Sequence, residues 1–282
     1  MDWLSRQFPT RVIVLMPVAI AINIVLGYTV QTVFKLPIYL DSIGTILVGV
    51  LAGPLAGMAT GILSNLIWQY APGIGGGTIG PFAIVAGAIG LLAGLWGYLG
   101  IFKSRPASGM QLLGAAVIAA VLVILVVVPI LNNPAYTDPN IGGYASWVYT
   151  AALTIAIIAA IVVAGFIYLK RDLAGLYVAI AGVITGIVAA FISAPISAIA
   201  FGGVTGGGTD LLVAALRQGG SDVYNASLGQ GLFSDPIDKT ITSFVVFMVL
   251  ASLSPRLIAR FPLGERTTGT HYAENGTAEA AP

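Results

Sequence analysis

Cysteine is absent from the 282 residues, and charge is scarce: Asp, Glu, Lys and Arg together make up 8% of the chain. No disulfide, thiolate metal site or cysteine nucleophile is therefore available. The single histidine, His271, stands in a polar C-terminal stretch, which removes any Ser–His–Asp set and any His-rich metal site. From Ser42 to Phe102 there is not one Asp, Glu, Lys, Arg or His. Soluble domains carry about 25% charged residues, so this composition excludes an ordinary soluble fold. The net charge of +1, with no basic cluster, gives no sign of nucleic-acid binding.

Motifs for nucleotide chemistry are missing too. No Gly-Lys pair occurs, which excludes ATP hydrolysis by the P-loop route. Gly75, Gly77 and Gly80 satisfy G-x-G-x-x-G, but they fall between two apolar segments with no strand before them. We read that match as accidental. No catalytic residue, metal site or cofactor is expected, and the chain reads as no enzyme.

What is present is apolar: 57% of the residues are hydrophobic, in runs long enough to cross about 30 Å of hydrocarbon. The runs are 12–31, 42–70, 80–102, 110–132, 146–169, 173–203 and 239–254. Gly53-Pro54 breaks the second, because proline interrupts a helix and biases the preceding residue away from it. Two short helices, 42–52 and 55–70, are expected there. The fold class is then all-α and polytopic, with about eight transmembrane helices and both termini on one side. A cytoplasmic N-terminus leaves only Lys35, Arg217 and Lys239 of the 12 Lys and Arg outside, as the positive-inside rule prefers. The reversed chain would export Arg6 and Arg11 beside the first helix. Outer loops are expected at 32–41, 70–79, 133–145 and 204–238, the last holding short helices at 209–218 and 222–233. Residues 1–262 read as a single transmembrane domain, and 263–282 as a disordered cytoplasmic tail.

Small residues recur at four-residue spacing: Gly53/Gly57/Gly61, Gly90/Gly94 and Gly182/Gly186. Such stripes let helix backbones approach closely. Ala19, Asn23 and Gly27 repeat the spacing on the first helix, where Asn23 must find a hydrogen bond, either within the chain or on a partner helix.

Asp41, in "LPIYLDSIGTILVG", stands at the door of the charge-free run, and two roles are open to it. It can cap the following helix, or it can contact a ligand. Asp235-Pro236-Ile237-Asp238-Lys239 reads as a helix start, with Asp235 as N-cap and Pro236 in the first turn. Asp41, Asn65, Trp68, Gln69, Tyr70, Asp210, Arg217, Asp235, Asp238 and Lys239 all fall at the expected outer edge. Mixed acids, amides and aromatics at that level suit a pocket for a polar, ring-bearing solute. Of these, Asp41, Asn65, Trp68, Tyr70, Asp210, Asp235, Asp238 and Lys239 are the candidate substrate-binding residues. With the acids placed at the rim, the spans look free of ionisable groups, which disfavours an ion-driven carrier.

"LPIYLDSIGTILVGVLAGPLAGMATGILSNLIW" (36–68), "GVITGIVAAFISAPISAIAFGGVTGGGTDLLVA" (182–214) and "SDPIDKTITSFVVFMVL" (234–250) resemble, in order, segments of the substrate-binding S components of energy-coupling factor (ECF) transporters. These are the vitamin-importing branch of the ABC systems. The resemblance covers roughly 10–103 and 173–262. It implies a six-helix core, a substrate site near the outer face of the cell membrane, and partners in a transmembrane coupling protein and two cytosolic ATPases. It also implies that the first helix contacts the coupling protein, with Ala19, Asn23 and Gly27 in place of the family's A-x-x-x-A pattern. Asn23 departs from that pattern, and segment 104–172 adds two helices to the core. The rival expectations are a ligand-sensing membrane module and a stand-alone facilitative permease. The substrate is not named by the sequence.

Overall fold

The computed structural model describes residues 7–74, 78–106, 109–132, 145–272 and 278–280. Gly75, Gly77 and nearly all of the expected 133–145 loop lie outside them. The first helix, α1 (Thr10–Gly27), runs on into a π-helical turn, Tyr28–Val33. Next come α2 (Ile43–Ala52) and α3 (Pro54–Tyr70), then α4 (Ala83–Tyr98) after a 3₁₀ turn at Gly80–Phe82. Helices α5 (Gln111–Asn132) and α6 (Ala145–Lys170) occupy the segment 104–172. They are followed by α7 (Ala174–Phe201), the short α8 (Asp210–Gln218) and the long α9 (Val223–Ser252). Two small helices, α10 (Pro255–Ile258) and α11 (Gly264–Thr268), precede two short antiparallel paired strands, β1 (Thr270–Tyr272) and β2 (Ala278–Ala280).

Among the described residues, four helical segments are long and apolar enough to cross a membrane: Thr10–Val33, Gly80–Tyr98, Leu153–Lys170 and Ala174–Phe201. Helix α2 and Gln111–Leu125 are shorter apolar helices.

The break at Gly53-Pro54 forms as its sequence dictates. Gly53 adopts φ 115°, which side chains rarely tolerate, and Pro54 opens α3. The Oε1 of Gln7 accepts from the Leu55 amide at 3.0 Å and supplies one of the acceptors that a helix start lacks. The glycine stripes are packing faces. A Cβ on Gly90 would lie 2.2 Å from the Gly57 carbonyl carbon, and one on Gly94 would lie 2.2 Å from the Pro54 nitrogen. Helices α3 and α4 therefore touch backbone to backbone.

The same device corrects the expected helix start at Asp235. The helix begins thirteen residues earlier, where Asp222 accepts from the Asn225 amide at 2.9 Å; that amide holds the Asp222 carboxyl below its ordinary range. The expected short helix at 222–233 and the span at 239–254 are thus one 30-residue helix with Pro236 inside it. Asp235-Pro236-x-Asp238 imitates a helix start, but the missing proline donor is tolerated where another helix packs closely. Gly186 of α7 provides that approach: its Cβ would meet Pro236 Cα at 2.4 Å.

Helices α5 and α6 contribute to the hydrophobic core. Phe166 of α6 meets Phe244 and Phe247 of α9 edge-on, each at 5.4 Å between ring centres. Ala156 of α6 joins Leu212, Phe233 and Ile237 in a second buried cluster under α8. The tail also departs from expectation, since its start is docked rather than disordered. Leu263 is buried and donates its amide to the Leu51 carbonyl at 2.8 Å, while Arg266 bonds the Tyr98 carbonyl at 2.9 Å. Both carbonyls belong to helix ends, where acceptors are left over.

Candidate functional site

A cavity of about 330 Å³ lies among the π-helical turn after α1 and helices α3, α4, α7, α8 and α9, under the segments that connect α1 to α2, α3 to α4 and α7 to α8. Every residue lining it belongs to 10–103 or 173–262, and none to 104–172. Hydrogen bonds tie the connecting segments together above it. Thr78 Oγ1 donates to the Thr205 carbonyl at 2.6 Å, and the Tyr39 hydroxyl meets Thr209 Oγ1 at 3.3 Å. Gln230 Nε2 on α9 donates to the Tyr39 hydroxyl at 3.0 Å. Burial, followed by the nearby Asp235 charge, pushes the Tyr39 phenol above its ordinary range.

The polar centre is built on α9. The Lys239 ammonium contacts Asp238 Oδ2 at 2.6 Å, Ser42 Oγ at 2.8 Å and Asp41 Oδ1 at 3.3 Å. The other oxygen of Asp238 accepts from the Tyr39 and Leu40 amides at 3.0 and 2.8 Å. This explains the left-handed backbone at Leu40 (φ 52°): the chain curls around a fully buried carboxylate. Ladders of this kind leave no hydrogen-bonding capacity idle, which a buried ion pair requires.

Asp41 is therefore not a helix cap. Ser42 occupies the N-cap position of α2 without a side-chain cap bond, and the Asp41 carboxylate instead bonds Lys239 and, at 3.2 Å, Gln31 Nε2. Asp210 holds its own loop, accepting from the Thr205 amide and hydroxyl and from the Gly206 amide. Trp68 is buried in the wall and donates its indole N–H to the Ile74 carbonyl at 3.1 Å. Asn65 lines the same wall. Asp235 lines it too, 4% exposed, with no hydrogen bond or ion pair of its own among the described residues.

Three expectations need correction. Tyr70 is 82% exposed and stands away from the cavity wall. Asp238 lies behind the wall and acts through Lys239 and the Tyr39–Leu40 backbone. The Ala19/Asn23/Gly27 stripe faces inward. Asn23 is buried, with Nδ2 on Thr45 Oγ1 and Ser64 Oγ and with Oδ1 accepting from the Gly44 amide at 2.7 Å. A Cβ on Gly27 would strike Trp68 at 2.7 Å. The stripe packs α1 onto α2 and α3 and is not a surface for a partner. The exposed face of α1 carries Val14, Val18 and Val25 instead.

Sequence reasoning missed Gln31, Tyr39, Ser42, Ser227 and Gln230. A signal existed for the last two. Ser227, Gln230, Ser234, Asp235, Asp238 and Lys239 follow helical spacing, but that stripe is visible only if 222–252 is read as one helix. Comparison with protein-family models, with curated proteins and with solved structures finds no match for this chain.

Proposed function

We propose that the chain is the substrate-binding transmembrane subunit of an ECF-type importer, which captures a vitamin-like small molecule at the outer face of the cell membrane. In this reading the chain crosses the membrane eight times with both termini cytoplasmic. Residues 10–103 and 173–262 form the six-helix core, and 104–172 is an addition to it. A coupling protein and a pair of cytosolic ATPases supply the energy. The observation that carries the reading is the cavity: its lining comes from the proposed core alone, and three connecting segments roof it. Its volume lies at the lower end of the range for small-molecule sites, about 300–1,000 Å³. The coupling contact falls to the exposed face of α1 around Val18, since the small-residue stripe is buried.

One observation favours a second reading. Asp235, Asp238 and Lys239 lie near the middle of the 30-residue α9 rather than at its start. Ionisable groups at such depth are typical of ion-driven carriers, so a stand-alone permease is the competing function. Reconstitution separates the two. The small molecule that co-purifies with the detergent-solubilised chain, identified by mass spectrometry, serves as the substrate. The subunit reading expects it to accumulate in liposomes only when the coupling protein, the ATPases and ATP are present. Accumulation by the chain alone under a proton or sodium gradient would overturn it.

A further inference from the structure

We infer, resting on the reading of the cavity as a substrate site, that its ligand is a small organic cation whose protonated nitrogen is held by Asp235. The argument begins with Lys239. An ammonium has three donors, and all three are taken, by Asp238, Ser42 and Asp41. None is left for Asp235, although it stands one helical turn away on the same helix. The other carboxylates at the site are also satisfied: Asp41 by Lys239 and Gln31, Asp238 by Lys239 and two loop amides, and Asp210 by Thr205 and Gly206. Asp235 alone has no partner among the described residues, and it is 96% removed from solvent in the cavity wall, at 4% exposure.

A second orphan lies in the same wall. The Ser227 hydroxyl, two helical turns before Asp235 on α9, is buried without a hydrogen bond. Unsatisfied buried polar groups are rare and call for a specific cause. The Ser227 oxygen is sealed from the cavity, whereas the Asp235 carboxylate is not, so the donor that a ligand can supply is the one missing at Asp235.

Charge sets the sign of that ligand. Asp41 and Asp238 already share the one ammonium, and Asp235 adds a third acidic side chain with no cation of its own. An isolated carboxylate is costly to bury unless a cation joins it or it takes up a proton. A metal ion is not what this geometry suits, because Asp41 and Asp238 are committed to Lys239 and no group of three acidic or histidine side chains is placed to hold a metal among the described residues. Trp68 and Phe82 in the same wall offer flat apolar faces. Together these select an amine- or amidine-bearing ring compound and disfavour a carboxylic acid.

The test uses the purified full chain in a non-ionic detergent and three probes matched in size: phenethylammonium, 2-phenylethanol and 3-phenylpropionate. Titrations followed by thermal melting should rank the ammonium first and the carboxylate last. Asp235→Asn should cut ammonium affinity by about ten-fold or more, the loss expected for one charge-assisted bond, while Asp235→Glu keeps the preference. Without ligand, Asp235→Asn should melt no lower than the parent chain, since it removes an unpaired buried charge.

Equal or tighter binding of the alcohol or the carboxylate would overturn the cationic ligand and leave the cavity as a substrate site. That is the outcome expected if a proton already neutralises Asp235. Binding of none of the three probes would overturn both the cation and the substrate site. Undiminished ammonium binding by Asp235→Asn would remove Asp235 from the role. The wild-type ranking needs no substitution, so a variant that fails to fold does not block the decision.

Discussion

Asp238 and Lys239 are neighbours in sequence, yet their side chains meet at 2.6 Å inside the bundle. Adjacent residues on a helix point about 100° apart and do not normally face each other. Here the lysine stem turns back because Ser42 and Asp41, at the head of α2, draw the ammonium to the same side. The pair thereby joins the middle of α9 to the entrance of α2. The remaining Asp238 oxygen fixes the Tyr39–Leu40 turn over the cavity.

Replacing the lysine alone should be severe. Lys239→Met strands the fully buried Asp238 carboxylate, and breaking a buried pair from one side costs about 3–5 kcal/mol. Asp238→Asn added to it should recover most of the loss, because an amide oxygen can still accept from the Tyr39 and Leu40 amides. A double-mutant cycle by thermal or denaturant unfolding measures the coupling. Additive losses would mean that the two side chains do not act as a pair.

Asp41→Asn should be mild but not silent. As a helix cap the change would cost nothing, since Asn caps as well as Asp. The carboxylate instead lies 3.3 Å from Lys239, with 23% of its side chain exposed, so solvent screens part of the attraction. A loss of about 1 kcal/mol is expected, read as a lowered melting temperature. An unchanged melting temperature would show that the Lys239 contact contributes nothing.

Two glycine substitutions should move in opposite directions. Gly90→Ala drives a methyl group into the Gly57 backbone, 2.2 Å away, and should cost about 1–3 kcal/mol through forced separation of α3 and α4. Gly165→Ala on α6 meets nothing within 4 Å, so the better helix former should stabilise by about 0.5–1 kcal/mol. Melting curves of the two variants side by side provide the check.

The Tyr39 phenol gives a pH signature. Its folded pKa is raised by burial and by Asp235, so it holds its proton where the unfolded chain has lost it. Its contribution to stability is complete below the ordinary tyrosine pKa, about 10, and is lost as pH rises through the higher folded value. Ultraviolet titration should find one phenol that ionises late, and Tyr39→Phe should remove that step. A Tyr39→Phe profile identical to the parent's would overturn the assignment.

Composition and local chemistry carried the architecture a long way. Apolar runs marked the major helices, and Gly53-Pro54 placed the turn between α2 and α3 to within one residue, because a proline without an amide hydrogen and a glycine free of a Cβ act on their own backbone. The short α8 was legible for the same local reason, bounded by Gly208 and Gly219. Asp235-Pro236 was not, because whether proline starts a helix or sits inside one depends on a neighbour. Gly186 of α7, distant in sequence, approaches the helix there and makes an interior proline tolerable. Once α9 is continuous, its polar residues fall on one stripe and the cavity follows. The direction of the Ala19/Asn23/Gly27 stripe was equally out of reach. Four-residue spacing tells which residues share a face, but only the packing of α1 on α2 and α3 decided that the face looks inward. What makes Asp235 distinctive is likewise tertiary: Asp238 of α9, with Asp41 and Ser42 just before α2, uses up the donors of Lys239, and the last carboxylate is left facing the cavity.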